Sequence, residues 1–199
     1  MIHTRLLKRA LTGTAILAAT AVLAGCSTSL IASQDTTTES SLLAAHDLDG
    51  LDAKQIIDRL DTTPIADRAE DFQASIRPDS LVLSDANHGE MTVPMPDDEF
   101  YISVAPYVDQ THECVYHSPT GCKGELQNAD VHVTVTDSTT GAVLYDERTV
   151  TYDNGFVGLW LPRDFEGVLA IEGSGRKGQV SIRTVGDDQP TCITTLQLT

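Results

Sequence analysis

Cys114, Cys122 and Cys192 are the residues best suited to chemistry in this chain, and their number is odd. Disulfides consume thiols in pairs, so an exported protein with three of them either keeps one sulfur free or uses all three together. Three converging thiolates form a trigonal site for Cu(I), because soft ligands favour soft, polarizable cations. His112 and His117 lie on either side of Cys114 and supply imidazoles that can assist as ligands or capture Cu(II) first. A thiolate-rich site also favours the lower oxidation state, so thiols can reduce Cu(II) as it loads. Zinc competes for these donors, but structural zinc sites space cysteines two to four residues apart, and seven residues separate Cys114 from Cys122. Two plainer readings stay open. In an oxidising compartment two cysteines can pair and leave the third free and buried, and His112 and His117 can be loop residues with no metal role.

Positioning these side chains requires a turn, a terminal strand and a β-rich scaffold. Ser118-Pro119-Thr120-Gly121 is a β-turn sequence, with proline preset for the second position, and it folds Cys122 back towards Cys114. Cys192 opens a last strand expected to run to Leu198, on the same face as Leu196 and Leu198, so its thiol faces the core. Val131, Val133 and Val135 alternate with His132, Thr134 and Thr136, giving a strand with one buried face and His132 on the wet one. Turns at Gly141 and Asn154-Gly155 bound a strand over 143–151. Further strands are expected at 156–161, 168–171 and 180–185, the first of them apolar on both faces and therefore central or covered by the helical portion.

Upstream, Asp52 and Gln55 form a capping box with Leu51 and Ile56 as its hydrophobic staple, and Ala53, Ile56, Ile57 and Leu60 share a helical face. Thr63-Pro64 stops that helix and restarts a turn through Arg68. Leu81-Val82-Leu83 reads as extended. His46 and His88 lie in polar stretches and carry no signal. Asp47-Leu48-Asp49-Gly50 lacks the ligand spacing and terminal glutamate of a calcium loop.

The first residues explain the fourth cysteine. Arg5, Lys8 and Arg9 precede an apolar run from Leu11 to Leu23, and Leu23-Ala24-Gly25-Cys26 has the form of a lipobox, so Cys26 is expected to carry lipid rather than metal. The expected divisions are a signal peptide (1–25), a lipidated tether (26–41), a helical region (42–85) and a β-rich metal-binding domain (86–199), an α+β, sandwich-like chain. Net charge is -16, and without the three signal cations ten basic residues face 29 acidic ones. Such a surface repels nucleic acid and anionic headgroups, so the lipid anchor is the expected membrane contact. No Ser-His-Asp set, phosphate loop or carboxylate pair marks a hydrolase or transferase, and the missing Cys-x-x-Cys argues against a thiol oxidoreductase. The reading is a non-enzymatic binder.

The segment from Cys114 to Leu126, the run Gly155-Phe156-Val157-Gly158-Leu159-Trp160-Leu161-Pro162-Arg163-Asp164 and the terminal Thr191 to Leu198 resemble the CueP family of periplasmic or cell-surface copper-binding proteins. The similarity reaches back through Phe100–Gln110 to Gly50-Leu51-Asp52-Ala53. It implies a copper site at Cys114, Cys122 and Cys192, a helical region joined to a β domain, and self-association as a homodimer. It also implies a role in holding extracytoplasmic copper and supplying it to a copper, zinc superoxide dismutase. The lipobox and the acidity depart from the enterobacterial pattern. The expectation is a lipid-anchored, exported Cu(I)-binding protein that sequesters or delivers copper; the alternative is a surface module that binds protein or glycan and carries a structural disulfide.

Overall fold

The computed structural model of this protein describes residues 41–199. Cys26, its lipobox and most of the tether lie outside the described residues.

A helical turn at 41–45 leads to helix α1 (Ala53–Thr62). The expected capping box is present: the Gln55 backbone N–H donates to Asp52 Oδ1 and the Asp52 N–H to Gln55 Oε1, which satisfies donors that a helix start leaves free. Pro64 ends the helix and a short 3-10 turn follows at Ile65–Asp67. Ten strands succeed it. The first five are β1 (Phe72–Ile76), β2 (Ser80–Asp85), β3 (Gly89–Pro94), β4 (Glu99–Val104) and β5 (Asp130–Asp137). The rest are β6 (Val143–Val150), β7 (Val157–Pro162), β8 (Glu166–Gly173), β9 (Arg176–Arg183) and β10 (Cys192–Ile193). The architecture is α+β and mainly antiparallel, as expected. Two strands fall within 42–85, the expected helical region: β2 contains Leu81-Val82-Leu83, the run read as extended, and β1 was not expected; Phe72, Ala74 and Ile76 alternate with polar neighbours and are buried, the mark of a one-sided strand.

Three sheets result, in the orders β1-β2-β3, β10-β4-β7 and β6-β5-β8-β9. The middle sheet serves two cores. Phe100, Ile102 and Val104 of β4, with Val157, Leu159 and Leu161 of β7, pack against the four-stranded sheet. From the same two strands Tyr101 and Trp160 point the other way, into a core built from α1 and β1–β3. This explains the two-sided apolar character of residues 156–161: β7 is an edge strand by hydrogen bonding, and α1 covers it, with Lys54 over the Trp160 ring and Trp160 Nε1 donating to Asp58. Gly158 is required here, since a Cβ at that position would stand 2.0 Å from Tyr101 Oη.

The terminal strand is shorter than expected. Cys192–Ile193 pair in parallel with Ser103–Val104, and the chain then changes partner, bonding through Leu196 and Leu198 to the backbone of Tyr107. Leu196 and Leu198 remain buried in the core against the four-stranded sheet.

Candidate metal centre

Three segments distant in sequence are stitched together at the end of β1. The Ile76 N–H donates to His117 O, the His117 N–H to Thr191 Oγ1, and Thr191 Oγ1 in turn to Ile76 O. The Thr191 and Cys192 N–H groups both donate to Val115 O, which holds β10 beside the loop. Ser118-Pro119-Thr120-Gly121 forms the expected turn, with the Gly121 and Cys122 N–H groups donating to Ser118 O at 3.1 and 2.8 Å. Beyond it, Gly124 and Gly155 let two backbones touch. The Gly124 N–H donates to Asn154 O at 2.6 Å, and a Cβ on either glycine would come within 2.8 Å of the other's backbone.

These contacts bring the three cysteines together. Cys114 and Cys192 are joined in a disulfide, and Cys122 is free, its Sγ 3.6 Å from Cys114 Sγ. Their surroundings are Ala105 and Phe156, with Cys192 itself buried. Two donor clusters share Cys122: His112 with Cys114 and Cys122, and His117 with Cys122 and Cys192, each with its donor atoms within 4.8 Å of one another. The two histidines differ in placement. His112 is exposed, on the solvent side of the cysteines, and its ring meets the edge of Phe156. His117 is fully buried, its ring centroid 4.5 Å from that of Phe156, with Nδ1 4.0 Å from Cys192 Sγ.

Behind His117 stands a polar group that the sequence reading missed. His117 Nε2 lies 2.8 Å from Asp61 Oδ1, Asn154 Nδ2 donates to the same oxygen at 2.9 Å, and Tyr101 Oη donates to Oδ2 at 2.5 Å. All four side chains are buried. Burial alone would push the Asp61 carboxyl up and the His117 imidazole down. Their mutual attraction and hydrogen bond reverse both tendencies, holding Asp61 below the usual carboxylate range and pushing His117 up to about 9. Cys122 follows: burial raises its thiol, but a hydrogen bond and the charge of His117, with the Ser118 N–H, hold it below an ordinary cysteine. Arg68 Nη1 adds a hydrogen bond to Cys122 O. The site is thus a partly buried thiol beside a disulfide, backed by an imidazolium clamped to a carboxylate.

The signal for Asp61 was present in the helix. Ala53, Ile57 and Asp61 fall four residues apart on one stripe, and all three are buried, whereas Leu60, expected on the buried face, is only partly so. A carboxylate on the apolar stripe of an amphipathic helix requires a buried partner. Tyr101 and Asn154 carried no such mark. His132 sits on the outer face of β5, paired with Asp146, and His46 and His88 meet on Asp85, away from the cysteines.

A family model described as "Periplasmic copper-binding protein CueP" matches residues 55–197. The chain belongs to the CueP family. A solved structure described as "Crystal Structure of S.CueP" superposes with a TM-score of 0.75 at 43% identity, covering 81% of this chain and 97% of that one. No curated protein matches the chain. The CueP match encloses Asp61, His112, His117 and all three cysteines of the site. Membership makes this a copper-binding protein of a periplasmic family, which agrees with the export expected from the leader.

Proposed function

We propose that the protein binds Cu(I) through Cys114, Cys122 and Cys192 once the Cys114–Cys192 disulfide is reduced, and that it sequesters copper or hands it on outside the cytoplasm. The observation that carries this reading is the convergence of three sulfurs from separate segments, with Cys122 3.6 Å from Cys114 and within 4.8 Å of Cys192. A disulfide built only for stability has no use for a third sulfur with a lowered thiol pKa at its side.

Before loading, His117 serves this site by its charge, and on losing the Nδ1 proton it offers that nitrogen, which faces the sulfurs, while Asp61 holds the opposite ring nitrogen; a carboxylate behind a ligating histidine fixes ring orientation in metal sites generally. His112, on the solvent side, is placed to receive incoming Cu(II). Loading with reduction balances as two thiolates and two Cu(II) giving one disulfide and two Cu(I), so one cycle leaves the Cys114–Cys192 bond and an external dithiol must restore the thiols. Without that dithiol the reduction stops after one round, so binding rather than turnover is the role proposed here. Lipid on Cys26 tethers it to the extracytoplasmic face of a membrane, a copper, zinc superoxide dismutase receives its copper, and two copies associate as a dimer.

The disulfide itself favours a second reading, a surface module for protein or glycan in which Cys114–Cys192 is a permanent staple. An anaerobic Cu(I) competition titration against a chromogenic chelator separates the two. Reduced wild type should hold one Cu(I) per chain, oxidised wild type and Cys192→Ser should compete far more weakly, and all should remain folded. A reduced wild type that takes no Cu(I) from the chelator leaves the stapled module as the better account.

A further inference from the structure

Among the described residues, the buried side-chain nitrogen and oxygen atoms left without a hydrogen-bond partner are Ser103 Oγ and the Nε and Nη2 of Arg68. Both side chains border the cysteines: Arg68 Nη1 donates to Cys122 O, and Ser103 pairs with Cys192 across β4 and β10. Ser103 is the sharper case. It is fully buried, and a hydroxyl shut away from water with no partner is costly, so its place in the fold calls for a physical reason.

The sheet fixes which way this side chain faces. β4 and β10 run parallel, with Cys192 beside Ser103 and Ile193 beside Val104. Val104 and Ile193 both enter the core against the four-stranded sheet, so Ser103 and Cys192, one residue earlier on each strand, share the opposite face. Cys192 meets Ala105 and Phe156 on that face. On the other flank the neighbour of Ser103 is Gly158 of β7, which has no side chain, and Tyr101 Oη already donates to Asp61. The Cys192 sulfur is thus the adjacent group that a reaction can turn into a strong acceptor. In the disulfide it is a weak one, and Ser103 makes no bond to it.

We infer that Ser103 is a positioning residue for the reduced state of the cysteine cluster: its hydroxyl donates to the Cys192 sulfur once the Cys114–Cys192 bond is opened, whether that sulfur is a bare thiolate or holds copper. The inference rests on the proposal that the cluster works in its reduced form. Adjacent strands lie about 4.8 Å apart, so when Cys192 Sγ is released from Cys114, rotation about one bond in each side chain brings oxygen and sulfur together. A hydrogen bond to a charged sulfur is a strong one. Present in the dithiol and absent in the disulfide, it shifts the equilibrium between them toward the dithiol. Opening the bond takes two electrons and two protons from the external dithiol, which leaves as its own disulfide. Ser103 therefore makes the Cys114–Cys192 bond easier to reduce and holds the Cys192 sulfur in place for the metal.

The test uses metal-free protein. Wild type and Ser103→Ala are equilibrated with mixtures of reduced and oxidised dithiothreitol and alkylated, and the fraction carrying the Cys114–Cys192 bond is read by mass spectrometry. Ser103→Ala should favour the disulfide by about tenfold, as expected for losing a hydrogen bond to a charged group, which is a reduction potential lower by about 30 mV. Thermal unfolding gives a second readout with opposite signs in the two states. The variant should lower the midpoint of the reduced protein and leave that of the oxidised protein unchanged or higher, because only the reduced form loses a bond. Thr184→Val removes a buried hydroxyl that donates to Pro162 O, outside the cysteine cluster, and should lower both midpoints alike without moving the redox equilibrium. A Ser103→Ala protein with an unmoved redox equilibrium, or with both midpoints lowered alike, overturns the proposal and makes the hydroxyl a group bonded to water or to Tyr101 in both states. The Cu(I) titration is scored on wild type with metal, so failure of the copper reading and failure of this one are told apart.

Discussion

Two histidine–carboxylate pairs of nearly equal length occupy opposite environments. His117 Nε2 to Asp61 Oδ1 is 2.8 Å with both side chains fully buried, whereas His132 Nε2 to Asp146 Oδ1 is 2.6 Å with side chains 30% and 59% exposed. The shorter contact is the weaker one. Water and salt compete for the His132–Asp146 pair on the outer face of β5, and such surface pairs contribute little. Asp61 is enclosed, Tyr101 and Asn154 donate to the same carboxylate, and the His117 imidazolium without Asp61 would be an unpaired buried charge. Burial, not distance, makes one pair part of the cysteine cluster and the other a surface feature of the sheet.

The largest expected effect tests that contrast directly. Asp61→Ala removes the partner of a buried imidazolium and should cost about 3–5 kcal/mol in a urea unfolding experiment on the oxidised protein. Asp146→Ala should leave the unfolding midpoint where it is. Equal effects from the two substitutions would break the comparison.

The pH dependence of stability comes next. The folded-state pKa of His117 is raised from 6.5 to about 9, so its contribution is fully present below 6.5 and is lost as pH rises through about 9. Asp61 is lowered from 3.8, so its contribution is present above 3.8 and is lost as pH falls through its lower folded value. Stability from the pair should form a plateau between these limits and decline on the alkaline side by about 3 kcal/mol, taking 1.36 kcal/mol for each unit of displacement. Chemical denaturation at pH 6, 7.5 and 9 measures it. Asp61→Asn should flatten the alkaline decline, and Asp146→Asn should keep it.

How much of this was legible in the sequence follows the same division. Part of the outer sheet could be read because alternation along Val131–Thr136 reports burial locally and places β5. The capping box of α1 and the turn at Ser118–Gly121 were readable for the same reason, since each is a short-range hydrogen-bonding pattern. The three cysteines and His117 were visible as residue types. Their meeting was not, because it depends on Ile76, Val115 and Thr191 exchanging backbone and hydroxyl hydrogen bonds across long sequence separations. β1 was missed because its alternation is only five residues long, and Asp61 because a single acid in a helix usually faces water. The pairing of Cys114 with Cys192, rather than either with Cys122, is likewise a tertiary fact.

A smaller effect concerns Cys122. Its thiol is held low by His117 against the opposing pull of burial, so alkylation by iodoacetamide in the oxidised protein should rise with a pH midpoint below that of a free cysteine. His117→Ala removes the imidazolium and should move the midpoint upward, slowing alkylation at neutral pH by about tenfold for each unit of movement. His132→Ala, which removes the exposed histidine, should leave the profile unchanged. Mass spectrometry of the Cys122 peptide reads the rate, and an unchanged profile in His117→Ala would disconnect the buried pair from the thiol.

The smallest effect is the response to salt, and it sharpens the contrast without altering the site. Double-mutant cycles on His117–Asp61 and on His132–Asp146 isolate the coupling within each pair. In 1 M sodium chloride the screening length falls to about 3 Å, so charges that ions can approach lose most of their interaction while charges enclosed by protein keep theirs. The His132–Asp146 coupling should therefore vanish between 0.05 and about 1 M salt, and the His117–Asp61 coupling should change little. A salt-sensitive Asp61 coupling would mean that ions reach the carboxylate behind the cysteines, and the low thiol pKa of Cys122 would then have to arise from the Ser118 N–H rather than from an enclosed charge.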